Sequence, residues 1–333
     1  MSGYHVAIVG ATGAVGTELL RLLEARRFPV RQLTLLASER SAGKRLTFAG
    51  ESVPVQALAA EAFRGVEIAF FSAGASRSRA FAPIAVQAGV LVIDNSSAFR
   101  MEPDVPLVIP EINSEALRQH RGIIANPNCS TIIMLMALEP LRRLSPIRRI
   151  VVSTYQSASG AGAQAMQELL DSTRAFLQGE PFTPQVLPHP YAFNLFSHNS
   201  PIGEDGYNEE ERKMILETRK IWGDPTIQVM PTCVRVPVLR AHSESIVVEL
   251  AERPSLEQIY AAYRDFPGVR LVDDRERNHF PMPLEASGRD EVLVGRIRYD
   301  VSAPNGVALF ACGDQLLKGA ALNALQIAEL LTR

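Results

Sequence analysis

The sequence predicts a two-domain α/β protein, in which a doubly wound parallel-sheet domain is joined to a second domain of α+β character. Three observations predict it. Short β-branched runs alternate with helical patterns through the first part of the chain, the signature of βαβ units. A glycine-rich turn stands between the first of those strands and the first helix. After Cys129 the alternation gives way to longer helices and strands. A chain of 333 residues is long enough for two domains at about 150 residues each, and 47% hydrophobic content fills a core in both.

Val6 to Val9 reads as a buried strand, and Thr17 to Glu24 carries leucines at helical spacing. Leu33 to Ala37 is the second strand. Further strands are expected at Ile68 to Ser72, Val90 to Asp94 and Leu107 to Ile109, with a helix around Ser78 to Ala88. Beyond Cys129 the pattern predicts a helix through Met134 to Arg143, a strand at Ile150 to Thr154 and a long helix through Gln164 to Leu177. Pro181 to Pro201 is irregular and suits a loop or an oligomer contact, and Glu209 to Trp222 is a charged helix. Strands are expected at Cys233 to Val238, Ser245 to Leu250, Val292 to Tyr299 and Val307 to Cys312. The last segment, Gln315 to Leu331, reads as a helix that returns to the first domain. The expected division is residues 1–128 with 314–333 for the first domain, and 129–313 for the second.

Composition excludes several function classes. Lys+Arg 34 against Asp+Glu 36 gives a net charge of −2, unlike the basic balance of a nucleic-acid reader. Apolar runs such as Ile132 to Leu138 are far shorter than the roughly 20 residues of a membrane-spanning helix. The N-terminus has neither a cationic region nor a small-residue cleavage site, so secretion is not expected. Three widely spaced cysteines, Cys129, Cys233 and Cys312, make no disulfide framework and suit a reducing cytoplasm. No Cys and His pair has metal-ligand spacing, so no metal is expected.

Gly10-Ala-Thr-Gly13-Ala-Val-Gly16 sits where a Rossmann-type pyrophosphate loop must lie, with the strand before it and the helix N-terminus after it. The bland alternative is a tight structural turn. After the second strand, Ser38, Arg40, Ser41 and Lys44 are hydroxyl and cationic groups suited to a 2′-phosphate, which favours NADP over NAD, with Glu39 pointing away. Against that stands an ordinary solvated face.

Asn126-Pro-Asn128-Cys129-Ser130-Thr131 runs directly into a helix, so Cys129 lies at a helix N-terminus, where the macrodipole favours a thiolate. Cys129 is therefore a candidate nucleophile, with a capping role for the segment as the alternative. Cys233 and Cys312 lie in strand-like runs and read as buried hydrophobes. Of six histidines, His242 stands out because Arg235 to Glu244 places cations and an imidazole in one short segment between strands. Arginine offers a fork for a carboxylate, and the alternative is an incidental polar turn.

With these motifs, and with Gln156-Ser-Ala-Ser-Gly160-Ala-Gly162, the chain resembles the aspartate-semialdehyde dehydrogenase family from Val6 to Lys318-Gly-Ala-Ala. The resemblance implies NADPH-dependent reductive dephosphorylation of L-4-aspartyl phosphate to L-aspartate 4-semialdehyde, a step in lysine, threonine, methionine and isoleucine biosynthesis. It implies Cys129 as nucleophile, Gln156 as the residue orienting it and the acyl group, and His242 as acid/base. Arg235 would take the substrate carboxylate, Glu210 the substrate amine, and Lys213 and Arg100 the phosphate, with Asn128 also at the substrate. The cofactor residues would be Gly10, Thr12, Gly13, Ala14, Val15, Gly16, Ser38, Arg40 and Ser41, with Ser159, Gly160, Gly162 and Gln315 on the nicotinamide side. The second domain would also dimerise, giving a homodimer that can associate into a tetramer.

Two rivals remain at this point. N-acetyl-glutamyl-phosphate reductases share the chemistry, but their cysteine motif reads Pro-Gly-Cys where this chain has Pro127-Asn128-Cys129. A non-catalytic NADP-binding protein would instead hold an inert Cys129 with an ordinary thiol pKa.

Overall fold

The computed structural model describes residues 3–332, which divide into two compact units. The first comprises the chain up to Asn128 together with the segment from Ala320. It contains β1 (Tyr4–Val9), α1 (Ala14–Ala25), β2 (Val30–Ala37), the hairpin of β3 (Arg45–Phe48) and β4 (Glu51–Ala57), and β5 (Ile68–Phe71). There follow α2 (Ala75–Gln87), β6 (Leu91–Asp94), the short α3 (Pro110–Asn113) and β7 (Ile123–Ala125). The sheet order is β3-β4-β2-β1-β5-β6-β7, parallel throughout except for the β3–β4 hairpin. The central strands are continuous apolar runs because both faces of the sheet are covered. The chain moves outward from β1 to β2 on one side and to β5 on the other, so the loop after β1 lies at the switch point of the sheet.

The strand expected at Leu107 to Ile109 does not form; Leu107 makes one isolated bridge to Ala125. Pro106 and Pro110 flank the run and cannot donate to a ladder. Asn113 takes the ladder's place, its Oδ1 accepting from Ile109 N and its Nδ2 donating to Leu107 O, both at 2.9 Å. The C-terminal helix, Leu322–Leu331, packs in this unit as expected. Asn323 Nδ2 donates to Val108 O and Asn126 Oδ1, and the Arg26 guanidinium forks onto Glu329 at 2.7 and 2.8 Å.

The second unit runs from Cys129 to Gly319. Its elements are α4 (Cys129–Leu144), β8 (Ile147–Gln156), α5 (Ala163–Gln178), β9 (Phe196–Ser197), α6 (Glu209–Trp222), β10 (Gln228–Arg235) and β11 (His242–Leu250). After these come α7 (Leu256–Arg264), β12 (Val269–Leu271), α8 (Pro283–Ala286), β13 (Val292–Tyr299) and β14 (Gly306–Gly313). The mixed sheet has the order β12-β13-β14-β11-β8-β10-β9. Helix α4 is buried on all sides from Ser130 to Leu141, because the sheet lies on one side and α6 and α7 on another. Residues 314–319, expected with the first domain, fold with the second. Asp314 accepts from Arg240 Nε at 2.7 Å and Gly288 N at 2.6 Å, and Gln315 Oε1 accepts from Ala241 N at 3.0 Å. No helix among the described residues is long and apolar enough to cross a membrane.

Candidate active site

In the first unit the glycine loop is shaped by close backbone approach. Gly10 has φ +92°, and a Cβ there would sit 2.5 Å from Ser72 O; a Cβ on Gly16 would collide with Gly10 O. Gly13 is the N-cap of α1, with no side-chain cap and no acidic residue in the first turn. No side chain of that turn therefore competes for the N–H groups of Ala14, Val15 and Gly16, which suits a phosphate anion. Beyond β2 a single turn spans Glu39–Ser41, with Ser41 buried, its Oγ 3.4 Å from Thr12 Oγ1, Ser38 half-buried and Arg40 exposed. The loop thus fits a dinucleotide, with Thr12 and Ser41 side by side. In the same unit Arg100 is buried and donates through Nε to Asn126 O and through Nη2 to Asn95 O, both at 2.9 Å.

In the second unit Cys129 is the first residue of α4 and is half-buried. A Cβ on Gly319 would lie 3.0 Å from Cys129 Cβ, so the missing side chain there is what allows the backbone at Gly319 to approach the cysteine. Cys233 and Cys312 are buried, and burial pushes both thiols up, Cys312 to about 12. They remain protonated and unreactive.

Three strand ends carry the polar cluster. Gln156 closes β8 and Arg235 closes β10, paired in parallel register, while His242 opens antiparallel β11 one position beyond the Ser243–Tyr155 pair. Gln156 Nε2 donates to Ser130 Oγ at 3.0 Å, and it lies 3.3 Å from both Thr154 Oγ1 and Glu210 Oε1. Glu210 pairs through Oε2 with Lys213 Nζ at 3.3 Å. These two sit in the first turns of α6, which Asn208 and Glu211 start with a reciprocal capping box. Glu211 Oε1 also accepts from Cys233 N at 3.0 Å, which fastens the helix start to β10.

Ser157 joins Arg235 to His242. Its carbonyl accepts from Arg235 Nη1 at 3.3 Å, and its N–H donates to His242 Nδ1 at 3.1 Å, with its Oγ at 3.0 Å from the same nitrogen. A backbone donor on Nδ1 places the ring hydrogen of neutral His242 on Nε2. That nitrogen is buried and has no hydrogen-bond partner among the described residues. Burial, then the charge of Arg235, push His242 down to about 3, with Glu210 acting in the opposite direction. Gly160 covers the pair: a Cβ there would lie 2.8 Å from His242 Cε1, 3.0 Å from Nε2 and 3.1 Å from Arg235 Nη1. Gly162, with φ +95°, is the N-cap of α5. Ser159 and Gln315 are buried and hydrogen-bonded to one another, and Gln315 also holds Ala241 N, next to His242.

Two family models divide the chain between them. "Semialdehyde dehydrogenase, NAD binding domain" matches residues 5–120, and "Semialdehyde dehydrogenase, dimerisation domain" matches residues 138–318. The aspartate-semialdehyde dehydrogenase of Synechocystis sp. is 58% identical over 99% of this chain and 98% of its own length. The chain belongs to the aspartate-semialdehyde dehydrogenase family. The family's enzyme from Aquifex aeolicus is 52% identical over 99% of this chain and 98% of its own length. A crystal structure of aspartate semialdehyde dehydrogenase II from Vibrio cholerae, described as complexed with ASA, covers 100% of this chain and 99% of its own at 46% identity, with a TM-score of 0.96. Like other members of the aspartate-semialdehyde dehydrogenase family, this chain is an oxidoreductase of amino-acid biosynthesis with a nicotinamide-cofactor domain.

Several residues of this family member's polar cluster escape sequence reasoning. His198 and Asn199 carry no motif, Ser130 and Ser157 stand inside motifs that give them no role, and only the fold brings the four to Arg235, Gln156 and His242. Arg240, two residues before His242, pairs with Asp314 at 2.7 Å, which leaves Arg235 as the arginine of the cluster.

Proposed function

We propose that the second unit's polar cluster catalyses the family reaction through a thioester on Cys129. The linkage of Arg235 and His242 through Ser157, at the strand ends beside Gln156, is the observation that carries this assignment. In the biosynthetic direction the Cys129 thiolate adds to the acyl carbon of L-4-aspartyl phosphate. The carbon–oxygen bond to phosphate breaks, leaving a thioester and inorganic phosphate. A dinucleotide held on the Gly10 to Gly16 loop would supply the hydride for reduction of this thioester. His242 holds its hydrogen on Nε2, where it stabilises the oxygen of the tetrahedral carbon as negative charge develops and exchanges the proton with it. The carbon–sulfur bond then breaks to give the aldehyde and restore the thiolate.

Arg235 takes the α-carboxylate of the substrate and Glu210 its α-amine, while Lys213 and Arg100 are the cations for phosphate, and Asn128 adds a contact beside the nucleophile. Pairing of Arg235 with a carboxylate removes one of the charges that hold His242 down, so substrate binding raises the basicity of its imidazole. Gln156 orients the acyl group from its hydrogen bonds to Ser130 and Glu210.

The cofactor is NADP(H). Gly10, Thr12, Gly13, Ala14, Val15 and Gly16 cradle the pyrophosphate, and Ser38, Arg40 and Ser41 take the 2′-phosphate. Ser159, Gly160, Gly162 and Gln315 complete the nicotinamide side. The enzyme works in the cytoplasm as a homodimer through its second unit, with association to a tetramer open to it. The exposed apolar residues Phe176, Leu177, Phe193, Leu195 and Ile202 support an interface there. Phosphate-dependent reduction of NADP⁺ by L-aspartate 4-semialdehyde, run beside NAD⁺ and N-acetylglutamate semialdehyde, tests these assignments. Activity only with the acetylated substrate would reassign the chain's substrate, and equal rates with NAD⁺ would remove the 2′-phosphate role.

A further inference from the structure

His198 belongs to no sequence motif, yet it is placed against the substrate arginine. Strand β9 pairs antiparallel with β10, with Phe196 opposite Arg235, so the chain leaving β9 runs past the guanidinium. Arg235 Nη2 lies 2.9 Å from His198 Nε2, and Arg235 Nε donates to Asn199 Oδ1 at 3.2 Å. A guanidinium only donates, so the contact with Arg235 uses the tautomer in which His198 Nε2 accepts and the ring hydrogen is on Nδ1. Ser200 faces Nδ1 with both its Oγ, at 3.0 Å, which can accept that hydrogen, and its backbone N–H, at 3.2 Å, which favours the opposite tautomer. The same Oγ accepts from Glu210 N at 3.2 Å. Burial pushes His198 down to about 4, so the ring is neutral at neutral pH and one of its nitrogens carries a lone pair.

We propose that His198 is a positioning residue acting through Arg235: its Nε2 holds the guanidinium fork toward the substrate carboxylate, and Ser200 ties that fork to the start of the helix bearing Glu210. Recognition of the α-carboxylate and of the α-amine thereby becomes one hydrogen-bonded unit, which selects an α-amino acid. This inference rests on the proposed role of Arg235 as the carboxylate ligand.

The test is steady-state kinetics of the full enzyme in the phosphorylating direction, with L-aspartate 4-semialdehyde and with 3-aminopropanal, which lacks the carboxylate. H198A is expected to raise KM for the semialdehyde about 10- to 30-fold, the scale of one lost hydrogen bond to a charged group, with kcat changed by less than about threefold. Its kcat/KM for 3-aminopropanal stays at the wild-type value. H198Q, whose amide oxygen can stand where Nε2 stood, restores KM to within about threefold of wild type. H198N keeps the Ser200 contact without reaching Arg235, and takes the place of H198A if the latter does not fold. R235A separates the two claims. If R235A leaves KM for the semialdehyde unchanged, the carboxylate role of Arg235 fails. If R235A raises it while H198A and H198N do not, or if they depress both aldehydes equally, the positioning role of His198 alone is overturned.

Discussion

Substitution of Gly160 by alanine probes the tightest contact in the cluster. The added methyl would stand 2.8 Å from His242 Cε1, 3.0 Å from its Nε2 and 3.1 Å from Arg235 Nη1, where carbon contacts normally settle at about 3.5–4.0 Å. Neither neighbour can yield cheaply. His242 is wholly buried and held at Nδ1 by the Ser157 N–H, and Arg235 is held by Asn199, His198 and the Ser157 carbonyl. Overpacking of this kind costs about 1–3 kcal/mol. If that displacement is carried into the transition state, at 1.36 kcal/mol per tenfold, kcat/KM falls about 5- to 150-fold. The assay is phosphate-dependent NADP⁺ reduction with the semialdehyde as varied substrate, with a thermal melt of the same preparation. The melt should drop by about 2–4 °C per kcal/mol lost. Wild-type kcat/KM in a folded G160A enzyme would refute the packing of Gly160 on His242 and Arg235.

Three further outcomes follow from the same geometry. Arg235→Lys keeps the charge but loses the fork, so KM for the semialdehyde should rise about 10- to 100-fold with kcat nearly unchanged; a normal KM would remove Arg235 from carboxylate binding. His242 is driven toward its neutral form by burial, so its imidazole resonances in the ligand-free enzyme should not titrate between about pH 8 and 5, and a midpoint near the ordinary 6.5 would contradict its placement. Glu244 lies on β11 with neither carboxylate oxygen hydrogen-bonded among the described residues, and burial keeps its carboxyl protonated in the folded state, whereas the unfolded chain ionises near 4.5. The unfolded state therefore binds fewer protons above that pH, and wild type loses up to about 1.4 kcal/mol per pH unit that E244Q does not lose. The melting-temperature advantage of E244Q should grow from pH 5 to pH 8, and a constant difference would show a paired carboxylate.

Much of the fold was legible because its signals are local. The charged helix Glu209–Trp222 and the strand Val292–Tyr299 appear at their expected bounds, each marked by a capping or alternating pattern. The Leu107 to Ile109 strand failed because two prolines and Asn113 decide that segment, and the apolar pattern is blind to them. The three-residue strand β7 and the β3–β4 hairpin were too short or too polar to show periodicity. At the site, Cys129, Gln156, Arg235 and His242 stand in motifs. The roles of Ser157, His198 and Gly160 depend on pairing between strands far apart in sequence, such as Arg235 with Phe196, and no local pattern encodes that.

The claim on which the rest depends is covalent catalysis by Cys129. The enzyme is mixed with L-aspartate 4-semialdehyde and NADP⁺ in the absence of phosphate, quenched in acid, digested and analysed by mass spectrometry. The account predicts a hydroxylamine-sensitive aspartyl adduct on the peptide containing Cys129, lost on addition of phosphate before the quench and absent from C129A. Turnover by C129A, or an acyl group carried on any other residue, would contradict it.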